Sequence, residues 1–315
     1  MLFEELIHEV DKSTKVFDVA VIGCGPAGCS AAIYLSRAGF NAALFGSPFK
    51  TSLSMAGLIE NYPGFKKIEG LTLVQQMLEQ AKECGASHIE TDVSGIMRND
   101  DGSFTLITAD NDRYTVSAII FATGALRKKA NIKGELEYMG KGVSYCAVCD
   151  GPLYKNKPVA IIGHDRNTGK EAVFLSNICS KVYIISEQEF DFDQEHMKIL
   201  RESGRAEFLH GTIREIFGSG SAVTGIKLDN REINVAAVFI VLGDIPNTYL
   251  AQNLGVKIAT NGIVVNRPSQ ETNVPGVFAA GDVTDNLKQV AIAVGEGCAA
   301  ALHAMQYIRK KRRTK

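Results

Sequence analysis

The residue types best suited to chemistry stand together near the middle of the chain. Cys146 and Cys149 form a Cys-x-x-Cys motif in "SYCAVCDG", and Asp150 follows at once. Such a pair at the start of a helix can close a small disulfide ring, and local backbone amides can lower a thiol pKa to about 7, which makes thiolate available at cellular pH. The motif predicts a redox-active dithiol, and Asp150 is a candidate proton donor to a departing thiolate.

Two other interpretations of the cysteine pair stay open. A zinc site normally needs a second pair of ligands, and the sequence contains no other Cys-x-x-Cys and no nearby Cys/His pair, so we expect no metal. The two thiols could also be inert, with Asp150 acting only as a helix cap. The five other cysteines have apolar or small neighbours and are expected to pack as small hydrophobes: Cys24, Cys29, Cys84, Cys179 and Cys298.

The length and composition predict a globular protein with two domains. The chain has 315 residues, 45% of them hydrophobic, and a formal net charge of −1, which gives no reason to expect nucleic-acid binding. No apolar run approaches the roughly 20 residues that span a bilayer, and the acidic start "MLFEELIHEVDK" is unlike a secretory signal. We therefore expect the cytoplasm and no membrane.

Both ends of the chain carry a patterned segment. Apolar residues near the start are spaced as in an amphipathic helix packed on the body: Leu2, Phe3, Leu6, Ile7 and Val10. Basic residues dominate the end, which predicts a solvated, frayed terminus: Arg309, Lys310, Lys311, Arg312, Arg313 and Lys315.

One βαβ pattern occurs twice, and it would position the dithiol. "VAVIGCGPAGCSAAIYLS" begins at Val19 and "VAIIGHDRNTGKEAVFLS" begins at Val159. Each starts as a β-branched strand, turns at glycine and continues as a helix, and a second apolar strand follows, "NAALF" or "KVYIIS". The repeat predicts two Rossmann-like, three-layer nucleotide-binding domains.

The first copy has an intact dinucleotide turn. Gly23 makes the tight turn, Gly25 lets the backbone approach a pyrophosphate, and Gly28 lets the helix pack on the strand. By itself GxGxxG is a weak signal, and an ordinary glycine turn stays possible. The acid that normally binds ribose is missing, because Phe45 is followed by Gly46 and Ser47, so ribose contacts must come from elsewhere.

The second copy is altered where a phosphate would bind. Asp165 replaces the second glycine, and its charge would repel a pyrophosphate, while Thr168 adds bulk where helix and strand should touch. A 2′-phosphate of NADPH requires a basic side chain after the next strand. This segment instead carries five acids: Glu187, Glu189, Asp191, Asp193 and Glu195. An NAD site that uses Glu187 for ribose stays open.

With these motifs, the chain resembles the low-molecular-weight thioredoxin reductase family of flavoproteins over nearly its whole length. The resemblance is carried by "GCGPAG" (23–28), "ENYPGF" (60–65), "FATGA" (121–125), "CAVCDG" (146–151), "GDIPNT" (243–248) and "GVFAAGDV" (276–283), followed by "KQVAIAVGEG". It implies a discontinuous FAD domain, 1–124 and 250–315, with an inserted pyridine-nucleotide-like domain, 125–249, that carries the dithiol. It also implies a homodimer and a rotation of the two domains in catalysis.

The resemblance assigns roles to individual residues. Cys149 would lie over the flavin and form a charge-transfer thiolate, Cys146 would attack the disulfide of a thioredoxin-like protein, and Asp150 would be the acid. FAD would be held by Gly23, Gly25, Pro26, Ala27, Gly28, Asn61, Thr123, Gly124, Gly281, Asp282, Gln289 and Val290.

The chain departs from the family pattern in three places, of which the first two change the expected electron donor and the third concerns contacts with the flavin. "GHDRNT" replaces the second glycine turn, "SEQEFD" replaces the basic NADPH segment, and "KTS" (50–52) replaces a "GGQ" loop near the flavin. NADPH is therefore not expected, and the chain resembles the reductases that use ferredoxin or a reduced deazaflavin. A basic patch is formed by Arg127, Lys128, Lys129, Lys133 and the C-terminal tail. It could bind an acidic ferredoxin, although it could also be ordinary surface charge.

Other functions remain compatible with the sequence. An NADH-dependent disulfide reductase or a component of a peroxide-reducing system would use the same dithiol. A flavin-binding redox sensor would change its contacts with a partner instead of turning over. The second cleft could also hold another flavin as an electron relay.

Overall fold

The computed structural model describes residues 14–220, 222–229, 231–260 and 262–313. The N-terminal segment with Leu2, Phe3, Leu6, Ile7 and Val10 therefore lies outside the described residues, as does Lys315. Contacts divide the chain into two compact units. The first consists of residues up to 54, 71–126 and 246 onward, and the second of 55–70 and 127–245.

The helices are α1 (Pro26–Arg37), α2 (Gly70–Glu83), α3 (Ala147–Asp150), α4 (Arg166–Ile178), α5 (Gln194–Glu202), α6 (Tyr249–Asn253) and α7 (Val290–Arg313). Short 3₁₀ turns span Pro48–Lys50 and Gly151–Tyr154. The strands are β1 (Lys15–Ile22), β2 (Ala42–Phe45), β3 (Leu58–Ile59), β4 (Ile68–Glu69), β5 (Ser87–Ile89), β6 (Val93–Arg98), β7 (Phe104–Thr108), β8 (Arg113–Phe121), β9 (Ala125–Arg127), β10 (Val143–Ser144), β11 (Pro158–Ile162), β12 (Lys181–Ser186), β13 (Ala206–His210), β14 (Ile213–Ser219), β15 (Ala222–Leu228), β16 (Glu232–Asn234), β17 (Ala237–Ile240), β18 (Asp244–Pro246), β19 (Ile258–Ala259), β20 (Gly262–Ile263) and β21 (Val277–Ala279).

The first unit is built on a seven-stranded sheet in the order β5-β2-β1-β8-β7-β6, with β21 also paired to β8. Strands β5, β2, β1, β8 and β21 run parallel, whereas β7 and β6 continue as an antiparallel hairpin. Strand β2 and the carboxyl-terminal halves of β1 and β8 are buried and almost wholly apolar, as is usual in a parallel sheet covered on both faces. Phe45, Phe104 and Phe121 fill the core on one face.

The second unit has a parallel sheet in the order β10-β17-β11-β12-β13. Alternate residues of the strands face opposite sides, so Ile162 and Ile240 pack towards the antiparallel β14-β15-β16 sheet, while Ile161 and Phe239 pack towards α4 and α5. A small sheet, a parallel sheet and a helical layer therefore make three layers. This arrangement confirms the predicted Rossmann-like α/β class.

The basic end of the chain is helical through Arg313, so the expectation of a frayed terminus is wrong for residues 309–313. The guanidinium groups of Arg309 and Arg312 lie 5.5 and 5.7 Å from the centre of the Phe40 ring. Arg312 also pairs with Asp18. These contacts fix the last turn of α7 to the body of the first unit. Within the described residues, no helix has the length and apolar character needed to cross a membrane.

Candidate active site: a disulfide and two unlike glycine turns

Cys146 and Cys149 form a disulfide at the start of α3, with their Cα atoms 5.3 Å apart. Cys146 is the N-cap residue of this helix, and the backbone N–H of Cys149 donates to the Cys146 Sγ at 3.2 Å. Both residues are partly exposed. A hydrogen bond to sulfur stabilises a thiolate, so this N–H is placed to stabilise negative charge on the Cys146 sulfur after reduction.

Asp150, the last residue of α3, is half-buried. Burial raises the pKa of its carboxyl group, and a hydrogen bond from Ser144 opposes that rise. The Ser144 hydroxyl also accepts the backbone N–H of Cys146 at 3.1 Å. A raised pKa lets the protonated form of the carboxyl group persist to higher pH than in an exposed aspartate, which suits a proton donor.

The strand that leads to the dithiol is anchored by a buried carboxylate. Glu135 is 2% exposed and accepts the backbone N–H groups of Ala130 and Ile132, both at 3.1 Å. The hydroxyl of Tyr145 donates to the same carboxylate at 2.5 Å. Burial and the neighbouring Glu135 raise the pKa of Tyr145, so its proton stays in this bond. The residue before Cys146 is thus fixed.

A second carboxylate supports α3 from α4. Glu171 accepts the backbone N–H of Ala147 at 2.9 Å, and Asn167 donates to its other oxygen at 3.1 Å. Burial raises the pKa of Glu171, and these hydrogen bonds oppose the rise. The altered second βαβ copy therefore contacts the redox helix directly.

The first glycine turn fits a pyrophosphate. Gly25 is the N-cap of α1, no side chain caps that helix, and its first turn contains no acid. The backbone amides at this end therefore need another partner, and an anion is the natural one. An added Cβ would collide with the Ala122 carbonyl at Gly23 and with the Gly23 carbonyl at Gly28. At Gly25 an added Cβ would meet only the Thr51 Cγ2, at 3.9 Å, so the space beside Gly25 is open.

Most of the predicted cofactor residues converge on this turn. The Thr123 hydroxyl donates to the Asn247 carbonyl at 2.6 Å, and Gly124 next to it adopts a φ of +66° with open space beside it. Gly281, at φ +79°, lies against Ala27, and a Cβ there would come within 2.9 Å of the Ala27 Cβ. These positions, together with Pro26, lie at the carboxyl ends of β1, β8 and β21, where nucleotides bind in parallel sheets.

The loop after Gly281 is held by a buried acid that the sequence did not single out. Glu296, 6% exposed, accepts the Gly281 N–H at 2.7 Å and the Asn286 side-chain amide at 2.5 Å. This fixes the loop containing Asp282. Gln289 and Val290 follow it at the start of α7. Asn61 lies in 55–70 and thus belongs to the second unit.

The second glycine turn is closed by its own side chain. Asp165 is the N-cap of α4, and its Oδ1 lies 2.8 Å from both the backbone N and the Oγ1 of Thr168. Thr168 is fully buried and its hydroxyl lies 3.0 Å from the Val241 carbonyl. Thr168 was expected to disturb the contact between helix and strand. Instead it packs there fully buried, and its hydroxyl forms hydrogen bonds with Asp165 and with the carbonyl that follows the neighbouring strand.

The acidic segment after β12 folds back onto this turn. The backbone N–H of Asp191 donates to the His164 carbonyl at 2.7 Å, and a Cβ on Gly169 would come within 3.0 Å of the Phe192 ring. Phe190 packs against Phe192, Phe208 and His210 with ring centroids 5.4, 5.3 and 4.9 Å away. Glu187 is exposed just beyond β12.

The candidate basic patch is partly neutralised. Arg127 makes two hydrogen bonds to Asp244, at 2.8 and 2.7 Å, and Lys133 pairs with Glu215 at 2.8 Å. Lys128 and Lys129 are exposed.

The other cysteines are reduced, and Cys24, Cys29 and Cys179 are buried, as expected for small hydrophobes. Burial raises the pKa of Cys179 to about 11, which makes it unreactive at neutral pH. In the part of the chain that the structure describes, no group of three His, Cys, Asp or Glu side chains could hold a metal ion.

Comparison with known proteins agrees with this geometry. The profile of the pyridine nucleotide-disulphide oxidoreductase family matches residues 17–297. A thioredoxin reductase of Listeria monocytogenes is 37% identical over 308 residues, which cover 93% of this chain and 94% of that protein. A thioredoxin reductase of Helicobacter pylori is 38% identical over 311 residues, 93% of this chain and 99% of that protein.

A solved structure of similar fold is the thioredoxin reductase from Giardia duodenalis, at a TM-score of 0.88 and 32% identity, with 94% of this chain and 100% of that chain covered. Fold, dithiol, glycine turn and sequence similarity all agree. The chain belongs to the pyridine nucleotide-disulphide oxidoreductases, in the low-molecular-weight thioredoxin reductase family of flavoprotein enzymes.

Proposed function

We propose that this enzyme uses FAD and the Cys146–Cys149 pair to reduce the disulfide of a thioredoxin-like protein, with electrons from a donor other than NADPH. The first unit serves as the FAD domain and the second as the dithiol domain. The relatives' names support the thioredoxin-like substrate. The choice of donor rests on one observation, the capping of α4 by the Asp165 side chain.

The cofactor contributes an electron pair when it is bound. In our proposal Gly23, Gly25, Pro26, Ala27 and Gly28 hold its pyrophosphate. In the same unit, the ribityl chain and flavin ring are held by Thr123, Gly124, Gly281, Asp282, Gln289 and Val290. The expected role of Asn61 stays a prediction, because this residue belongs to the second unit. The uncapped end of α1 and the Glu296 contacts that fix the Gly281 loop support this assignment.

Two electrons and two protons convert the Cys146–Cys149 disulfide into a dithiol. The Cys146 thiolate then attacks one sulfur of the partner disulfide, forming a mixed disulfide and releasing a partner thiolate, which Asp150 protonates. The Cys149 thiol then loses its proton and attacks Cys146 Sγ; the second partner sulfur leaves as a thiolate and takes up a proton, and the intramolecular disulfide is restored. The Cys149 N–H donated to Cys146 Sγ supports Cys146 as the attacking sulfur.

The donor proposal rests on a difference between the two helix ends. The N-terminal amides of α1 have no side-chain cap, whereas the Asp165 carboxylate takes the Thr168 N–H of α4. A phosphate at the second turn would compete with that carboxylate for the same amide and be repelled by its charge. The 187–193 segment supports the same conclusion, since it offers acids and no basic side chain for a 2′-phosphate.

Ferredoxin is the donor we propose. Lys128 and Lys129 are exposed and would attract an acidic protein at long range. Arg127 and Lys133 contribute less, because each already pairs with an acid. We further propose a homodimer in the cytoplasm, where a reducing environment lets Cys-x-x-Cys dithiols cycle.

An anaerobic donor panel tests this function. Oxidised enzyme is mixed with reduced ferredoxin, a reduced deazaflavin, NADH or NADPH, and loss of flavin absorbance is followed by stopped flow. We expect rapid bleaching with ferredoxin and none with NADPH. Turnover of thioredoxin with NADPH would overturn the donor proposal, whereas failure to reduce thioredoxin with any donor would overturn the disulfide reductase itself.

A further inference from the structure

The adenosine end of the FAD site lacks its usual ribose acid. In dinucleotide-binding folds a carboxylate near the end of the second strand binds the ribose hydroxyls. Here β2 ends at Phe45 and is followed by Gly46 and Ser47. The ribose hydroxyls of a bound dinucleotide therefore need another acceptor.

The backbone conformation of Gly46 disfavours a carboxylate side chain at this position. It adopts a φ of +120°, in the left-handed region that L side chains rarely occupy. A Cβ there would lie 3.4 Å from the backbone N of Cys24 and 3.7 Å from the Cα of Gly23. The end of β2 thus lies against the pyrophosphate turn, and it is the positive φ of Gly46 that favours glycine there.

The neighbouring strand supplies an acid at the same level. Strand β5 pairs in parallel with β2, with Phe45 opposite Ile89, and the Gly46 N–H donates to the Ile89 carbonyl at 3.1 Å. Glu90 follows Ile89 directly and so emerges from the same carboxyl edge of the sheet.

Glu90 is oriented by Ser47. The Ser47 hydroxyl donates to Oε1 of Glu90 at 2.9 Å. The same hydroxyl accepts a hydrogen bond from the backbone N–H of Phe49 at 3.4 Å. Glu90 is exposed, and among the described residues it takes part in no ion pair. Asp92, two residues on, differs because Lys50 pairs with it at 2.8 Å. Glu90 is thus the carboxylate at this edge that keeps acceptor capacity for a ligand.

We propose that Glu90, held by Ser47, accepts hydrogen bonds from the adenosine ribose hydroxyls of FAD. In this proposal the ribose acid comes from the end of β5 in place of the end of its neighbour β2, at the same carboxyl edge of the sheet. This inference concerns how the cofactor is held and does not depend on the electron donor.

Equilibrium binding of FAD to the apoprotein tests the proposal. Dissociation constants are measured by quenching of flavin fluorescence, for FAD and for an FAD analogue without the 2′-hydroxyl of the adenosine ribose. The variants are Glu90→Ala and, as a matched control, Glu83→Ala, an exposed acid near the end of α2.

We expect Glu90→Ala to weaken FAD binding about 10-fold, as for a lost hydrogen bond to a charged group. Binding of the analogue should change less, because it has already lost part of the contact. Glu83→Ala should leave both constants unchanged. Wild-type affinity in Glu90→Ala, or equal weakening for FAD and the analogue, would overturn the proposal, and thermal melting of the apoproteins shows whether a loss comes from unfolding.

Discussion

The carboxylate of Glu171 on α4 accepts the backbone N–H of Ala147, the first residue of the redox helix, at 2.9 Å. Helix α4 is the one whose phosphate turn has been altered by Asp165 and Thr168. The contact gives a physical reason for keeping this βαβ unit, because it positions the dithiol whether or not a nucleotide binds at the start of α4.

Replacing Glu171 should disturb the dithiol more than the fold. In Glu171→Ala the buried Ala147 N–H loses its acceptor, which costs about 1–3 kcal/mol. We expect faster amide hydrogen exchange at Ala147 and slower thioredoxin reduction. Glu171→Gln retains an acceptor oxygen and should restore most of both properties, while Lys170→Ala, an exposed neighbour, should change neither. Normal exchange at Ala147 in Glu171→Ala would contradict the positioning role.

Substitution of the two redox cysteines should affect thioredoxin reduction in different ways. Cys146→Ser should abolish thioredoxin reduction with FAD still bound, since the attacking sulfur is gone. Cys149→Ser should accumulate a mixed disulfide between Cys146 and thioredoxin, because the resolving thiol is missing, and non-reducing electrophoresis would detect it. Cys84→Ser serves as the control outside the pair. Unchanged turnover in Cys146→Ser would refute the assignment.

Asp150 should shape the pH dependence of thioredoxin reduction. Burial raises the pKa of its carboxyl group, so the protonated, donating form persists to higher pH than for an exposed aspartate and is lost as the pH rises through that raised pKa. The single-turnover rate of dithiol oxidation by thioredoxin should fall on the alkaline side. Asp150→Asn should be slower by about 100-fold or more and should lack this limb. A wild-type pH profile in Asp150→Asn would exclude Asp150 as the acid.

Two substitutions at Asp165 separate charge repulsion from capping at the second turn. Asn caps helices as well as Asp does, so Asp165→Asn removes the charge and keeps the cap, whereas Asp165→Gly leaves the Thr168 amide unoccupied. We expect no saturable NADPH binding by calorimetry for the wild type or Asp165→Asn, and weak, millimolar binding for Asp165→Gly. Micromolar NADPH affinity in the wild-type enzyme would overturn the proposed donor.

The same position should matter for stability. Asp165→Ala removes the cap and should cost α4 about 0.5–2 kcal/mol, seen as a lower thermal midpoint. Asp191→Ala is the matched control, because the contact of Asp191 with the turn is made by its backbone. If Asp191→Ala lowered the thermal midpoint as much as Asp165→Ala does, negative charge near the second turn, and not capping of α4, would be the stabilising factor.

Local patterns were enough for much of the site. Strand, turn and helix follow one another within each βαβ unit, so the two copies could be recognised, and Cys-x-x-Cys brings its sulfurs together within one turn. The sequence pattern indicates Glu296 only weakly. This charged residue lies on a face of α7 that is otherwise apolar, formed by Ala293, Ala300 and Ala304. Nothing local indicated Glu90, which reaches its position through the pairing of β5 with β2.

The sequence by itself determined the class of fold, the dithiol and the intact first turn, because each depends on residues a few positions apart. The tertiary structure decided how distant carboxylates are used: Glu171 under the redox helix, Glu296 under the Gly281 loop and Glu90 beside Ser47. Even at Asp165, sequence reasoning foresaw repulsion, whereas the folded chain shows a bond to Thr168. A carboxylate serves equally as repulsive charge, cap or acceptor, and only the neighbours brought to it by folding select among these.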